Sequence, residues 1–172
     1  MFDIYTCNES DTARFTLGNR GSKTIFVVGL NPSTANKEHS DPTVTRVRKV
    51  SENNGYDGFV MLNLYPLRAT DPKKLPKQAD KELLNTNINE IVSIVGDDAT
   101  PIFWAAWGSD ISSRDYLKVA LFQLNESIAK LGGQWVKFGP LNAKKHPRHP
   151  SRLTYAWTFS KFDMEKYLEI IT

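Results

Sequence analysis

Four short apolar runs, separated by segments with helical spacing, constrain this chain more than any other feature. The first is Lys23–Leu30, apolar from Ile25 and broken by Asn31-Pro32. The second is Gly58–Leu64, the third Pro101–Trp107, stopped by Gly108, and the fourth Trp135–Phe138. Between them, Thr43–Asn54 reads as a helix, with Asp41-Pro42 as its entry and Asn54-Gly55 as its stop. Gln78–Val95 places Leu83, Leu84, Ile88, Ile91, Val92 and Val95 at helical spacing. A third helix starts near Ser112 or Ser113 and runs to about Leu131, and a fourth spans Asp163–Ile171. Continuously apolar strands alternating with helices predict a parallel sheet covered on both faces. The expected architecture is α/β: a three-layer αβα domain over residues 1–172 with a central four-stranded parallel sheet. Residues 1–22 are expected to form an extended arm or hairpin beside the 23–172 core. Ligands of such folds sit beyond the carboxyl ends of the strands, so the loops to inspect follow Leu30, Leu64, Trp107 and Phe138.

The length agrees with one domain, since 172 residues fall within the ~100–200 expected per domain. No apolar run approaches the roughly 18–20 residues that span a bilayer, and the first residues have no basic and apolar leader pattern. The single cysteine, Cys7, excludes an internal disulfide. A cytoplasmic monomer without a membrane partner is expected. The net charge is only +3, but the stretch between Glu126 and Asp163 has no acidic residue. It carries Lys130, Lys137, Lys144, Lys145, Arg148, Arg152 and Lys161. A field of one sign suits a surface that meets phosphates, and equally a solvated basic face.

Each strand-end loop offers polar chemistry. In Gly29-Leu30-Asn31-Pro32-Ser33-Thr34 the Asn31 amide and the Ser33 and Thr34 hydroxyls either line a crevice or cap a turn. Asn63 closes an apolar strand, where an amide either bonds backbone or reads a ligand. Ala106-Trp107-Gly108-Ser109 presents a hydroxyl at a strand-to-helix turn but matches no phosphate-binding or dinucleotide glycine motif. Lys144-Lys145-His146-Pro147-Arg148-His149-Pro150-Ser151-Arg152-Leu153 packs two histidines and four cations between prolines. No acidic or cysteine partner joins those histidines, so neither a metal nor a cofactor is expected. Asp41 and Asp71, each before a proline, read as helix caps or as a carboxylate for the crevice.

Taken in order, these segments resemble the uracil-DNA glycosylase superfamily. Gly29-Leu30-Asn31-Pro32-Ser33-Thr34 resembles its Gly-Ile-Asn-Pro-Gly motif, and Met61-Leu62-Asn63 with Arg68-Ala69 its Leu-Leu-Leu-Asn strand. Ala106-Trp107-Gly108-Ser109 is similar to its Leu-Trp-Gly-Ser turn, and His149-Pro150-Ser151-Arg152-Leu153 to its His-Pro-Ser-Pro-Leu motif. The combination Leu-Asn-Pro-Ser-Thr-Ala with Arg-Ala-Thr-Asp-Pro also resembles the bacterial and phage group called domain of unknown function 1643.

The resemblance implies a DNA glycosylase-like hydrolase that extrudes a damaged or modified base and cleaves its N-glycosidic bond. Asn31 and His149 would be catalytic, the first holding the water and the second donating to the departing base. Gly29, Leu30, Pro32, Ser33 and Asn63 would contact the base, Asn63 reading its polar edge. Ser109, Lys144, Lys145, Arg148, Ser151 and Arg152 would contact nucleic acid, DNA in preference to RNA, with Leu153 filling the gap in the duplex. Asn31 stands where the most active branch has aspartate, and Ser33 where the uracil-specific branch has tyrosine, which implies a slower enzyme with a roomier pocket. A non-catalytic nucleic-acid or nucleotide-binding module on the same fold is the alternative. A third is an unrelated doubly wound protein that binds a small phosphorylated ligand.

Overall fold

The computed structural model describes residues 1–96 and 98–172. Its strands are β1 (Ile4–Cys7), β2 (Arg14–Asn19), β3 (Thr24–Gly29), β4 (Gly58–Asn63), β5 (Ile102–Ala105), β6 (Gln134–Phe138) and β7 (Phe159–Lys161). The helices are α1 (Pro42–Asn53), α2 (Lys81–Val95), α3 (Asp115–Lys130) and α4 (Met164–Ile171). All seven strands form one sheet in the order β1-β2-β4-β3-β5-β6-β7.

The expected parallel strands pair consecutively as β4-β3-β5-β6. Every residue of β3 and β4 is buried, as strands covered on both faces require. The sheet is nevertheless mixed and seven-stranded, which corrects the four-stranded expectation. Of the arm and the hairpin expected over residues 1–22, the structure has the hairpin, β1 paired antiparallel with β2, and β2 joins it to the sheet by pairing antiparallel with β4. At the opposite edge β7, a strand that the four apolar runs do not include, pairs antiparallel with β6.

The helices divide between the faces. Val44, Val47 and Val50 of α1 pack with Ile25, Val27, Phe59, Met61 and Trp104. Residues of α2, α3 and α4, including Ile91, Leu121 and Tyr167, pack on Phe26, Val28, Val60, Leu62 and Phe103 from the other side. Burying a large apolar side chain contributes roughly 1.5–3 kcal/mol, so these alternating strand positions hold the three layers together.

Aspartates set three helix starts. Asp41, Asp80 and Asp163 accept the backbone N–H of Val44, Leu83 and Lys166, and each such cap is typically worth about 1 kcal/mol. The start of α3 differs from expectation: Ser109–Ser113 forms a 3-10 turn, and neither Ser112 nor Ser113 caps the helix, which begins after Arg114. The Arg114 guanidinium instead donates to the carbonyls of Lys73, Leu75, Pro76 and Ser113. Among the described residues no helix is long and apolar enough to cross a membrane.

Candidate functional site

The carboxyl ends of β3, β4 and β5 open into a pocket of about 480 Å³, within the range of small-molecule sites. Gly29, Leu30, Asn31, Pro32, Ser33, Asn63, Ser109, Arg148, His149, Ser151 and Arg152 all line it. The structure thus brings together eleven of the fourteen residues singled out above. Lys144 and Lys145 are exposed outside the lining, and Leu153 is half-buried against the core on the α1 side.

Strand pairing places the first group. Gly29 and Asn63 are partners in the β3–β4 register, so the Asn63 side chain stands beside a residue that has none. A Cβ on Gly29 would lie 3.0 Å from Asn63 Oδ1. Asn63 is 1% exposed, and its Nδ2 has no hydrogen-bond partner. Its backbone carbonyl accepts Asn87 Nδ2 at 2.8 Å, which fixes the strand end but leaves the side chain free. A buried amide without partners costs about 1–3 kcal/mol, a cost that a bound ligand would relieve.

Asn31 is held differently. Its Nδ2 donates to Ala69 O at 2.8 Å and Pro32 O at 3.0 Å, so Oδ1 is the acceptor left open. The loop beyond it is tied down by Arg68, whose Nη1 donates to Ser33 O and Ala35 O. Arg68 pairs in turn with Asp11 at 2.9 Å.

The basic loop forms the facing wall. Asn142 Nδ2 donates to Ser109 Oγ at 2.9 Å, and Asn142 Oδ1 accepts the N–H groups of Lys144 and His146. Gly108 permits the close approach: its φ is +73°, and a Cβ there would meet His149 Cβ at 3.1 Å. Arg148 stacks on Trp157, 5.0 Å from the ring centroid, and donates to Pro140 O.

The two histidines of this loop have separate fates. His146 is buried, its Nδ1 2.7 Å from Tyr167 Oη and its Nε2 3.4 Å from Ser112 Oγ. Tyr167 Oη also accepts Trp107 Nε1–H at 3.0 Å, and burial pushes the Tyr167 pKa up to about 12. His149 points its chemistry at the pocket. Its Nδ1 accepts the backbone N–H of Ser151 at 3.2 Å and lies 2.8 Å from Ser151 Oγ. A ring nitrogen that accepts a backbone N–H carries no proton, so the neutral imidazole holds its proton on Nε2. Desolvation lowers the His149 pKa, while Asp110 and Asp41 oppose that shift. His149 is therefore a neutral donor near pH 7.

Asp41 and Asp71 both act as caps, accepting Val44 N–H and Lys73 N–H, though Asp41 also lines the pocket. Sequence reasoning missed Arg14, a buried arginine in the lining. It also missed Asn142, which joins two site loops. Among the described residues no group of three or more metal-binding side chains occurs.

Fold and site together define an α/β protein with a pocket of mixed polar and apolar lining at the switch between its parallel strands. Residues 14–151 match the family described as "Protein of unknown function (DUF1643)". The chain belongs to that family. No curated protein and no solved structure matches it.

Proposed function

We propose that this protein is a glycosylase-like hydrolase that cleaves the N-glycosidic bond of a damaged or modified base in nucleic acid. The observation that carries the reading is the convergence of Asn31, Asn63 and His149 on one pocket, each with one side-chain function left open. Its relation to the uracil-DNA glycosylase superfamily rests on the four motifs and their order along the chain.

The chemistry fits those open groups. The bond between the anomeric carbon and the base nitrogen breaks, its electron pair leaves with the base, and a water oxygen bonds to the carbon. Asn31 Oδ1 would hold that water by accepting one of its hydrogens. An amide does not take up the proton, so the step depends on an oxocarbenium-like sugar that a weak nucleophile can capture, and the proton that the water sheds passes through solvent to the departing base anion, which leaves neutral. His149 Nε2–H would meet the oxygen on which the departing base gathers negative charge. A donor of this oxyanion-hole type is worth about 3–4 kcal/mol. Asn63 would read the polar edge of the extruded base, while Ser109, Ser151, Arg148 and Arg152 contact the backbone at the rim.

The test incubates the protein with oligonucleotides that each hold one uracil, mismatch or modified base, then applies alkali and looks for strand scission. Scission with wild type that His149→Ala reduces by a factor of roughly 100–1,000 is the expected result. His149→Ala should weaken DNA affinity modestly, through loss of the cap on Ser151 N–H, and far less than it reduces scission. The binding-module alternative draws on the amide at position 31 and on the engagement of both Asp41 carboxylate oxygens by backbone amides. Salt-sensitive DNA binding without scission across the panel would favour it.

A further inference from the structure

Arg14 opens β2, 2% exposed, and lines the same pocket as Asn31, Asn63 and His149. Its guanidinium carries five N–H donors but makes one hydrogen bond, from Nη1 to Ala35 O at 3.1 Å. Nε is buried without a partner. Among the described residues no carboxylate lies within the 4.0 Å ion-pair distance of it.

Its surroundings sharpen the imbalance. Arg68 donates to the same Ala35 carbonyl at 2.9 Å, so two guanidinium groups share one acceptor. Arg68 is balanced by Asp11, whereas Arg14 is not. Two carboxylates reach Arg14 by their field, Asp41 more strongly than Asp11. Asp41 is already held by Val44 N–H at 2.8 Å and Ala35 N–H at 3.3 Å, and Asp11 is paired with Arg68. Burial, with Arg68 adding to it, pushes the Arg14 pKa down to about 10, which still leaves the group charged at neutral pH. A buried charge without a partner is strongly unfavourable, and guanidinium is shaped to grip planar or tetrahedral oxyanions with two parallel hydrogen bonds.

We infer that Arg14 is an oxyanion-binding residue on the inner wall of this pocket, so that the ligand taken there carries a carboxylate or a phosphate. This rests on reading the pocket as the binding site, and it holds whether or not a bond is cleaved. The oxyanion has two sources: the terminal phosphate of a mononucleotide, or an acidic substituent on a base within a polynucleotide.

Calorimetric titration at fixed ionic strength separates them with two matched pairs. The first is deoxyuridine and its 5′-monophosphate. The second is an oligonucleotide with one 5-carboxylated pyrimidine and the same strand without the carboxylate. The expected result is that the charged member of one pair binds wild type roughly ten- to a hundred-fold more tightly, in line with charge-assisted hydrogen bonds. Preference within the first pair assigns the terminal phosphate, and within the second the base substituent. Arg14→Met should erase the preference, and Arg14→Lys should retain part of it. Equal affinity within both pairs, no binding by any member, or a preference that survives in Arg14→Met would overturn the inference. If Arg14→Met does not fold, wild type and Arg14→Lys decide it. A charge preference without base release would leave the inference standing and remove the glycosylase reading. Base release without a charge preference would do the reverse.

Discussion

The two walls of the pocket are built on opposite terms. On the strand-end wall the backbone does the positioning: β3–β4 register sets Asn63 beside Gly29, and the side-chain Nδ2 of Asn63 is left unpartnered. The loop wall has no register to rely on, so side chains hold it. Asn142 ties it to Ser109, and His146 ties it to Tyr167 and through that hydroxyl to Trp107. Polar groups on the first wall are open because the sheet does not need them. On the second, most are consumed in holding the loop, and His149 Nε2 is left over. Substitutions in the two walls should therefore change stability with opposite signs.

Tyr167→Phe should give the largest effect. The Tyr167 hydroxyl lies in a buried cluster, accepts Trp107 Nε1–H and reaches His146 Nδ1. Its removal strands a buried indole donor and a ring nitrogen, at a cost of about 1–3 kcal/mol. Urea denaturation should show a lower midpoint with an unchanged slope. Ligand affinity should fall through a loosened 142–149 loop. No loss of stability would mean that the loop wall is held by other contacts.

Asn63→Leu probes the other wall and should move stability the other way. It replaces an unpartnered buried amide by an apolar side chain of similar size, among Met61, Leu30 and Val44 of the same lining. A gain of up to about 1 kcal/mol is expected, seen as a rise of roughly 2–4 °C in the melting temperature, together with loss of ligand binding. A destabilised Asn63→Leu would show that the amide is satisfied within the protein, and the contrast between the walls would fail.

Much of this was legible in the sequence because the strand ends are punctuated. Asn31-Pro32 and Gly108 mark where β3 and β5 hand over to loops, and Asp41-Pro42 marks the entry of α1, so the residues at those positions were found by position alone, whereas the Asp80 cap of α2 was not singled out. The sheet edges were not. β7 has three residues, Phe159–Lys161, and owes its strand character to pairing with β6. β1 is half-buried throughout rather than alternating, so it shows no period of two. Arg14 was hidden for the same reason: its burial comes from docking the β1–β2 pair onto β4, which local pattern does not carry. Lys144, Lys145 and Leu153 share their loop with His149 but fall outside the pocket: the two lysines are exposed, and Leu153 packs on the α1-side core.

The smallest expected effect is a pH dependence that sharpens the contrast between the two histidines. Burial lowers both pKa values below the ordinary value of 6.5, with Lys144 and Lys118 adding to the shift of His146. A depressed folded-state pKa means that the unfolded chain binds protons first as pH falls. Stability due to these groups is therefore unchanged above about pH 6.5 and declines from there down through the folded pKa values. In His146→Phe the ring nitrogen facing Tyr167 is lost together with its titration, so the acid decline should become shallower. For His149 the readout is ligand affinity, because its Nε2 is a donor in both protonation states, whereas Nδ1 accepts Ser151 N–H only while neutral. Protonating Nδ1 breaks that cap and frees the 3-10 turn at Pro150–Arg152, so affinity should weaken below pH 6.5 in wild type and in His146→Phe alike. Melting curves and titrations from pH 7.5 down to pH 5 measure both quantities. An acid decline in affinity that disappears in His146→Phe would assign the pH sensitivity of the site to the buried brace and not to the histidine in the pocket.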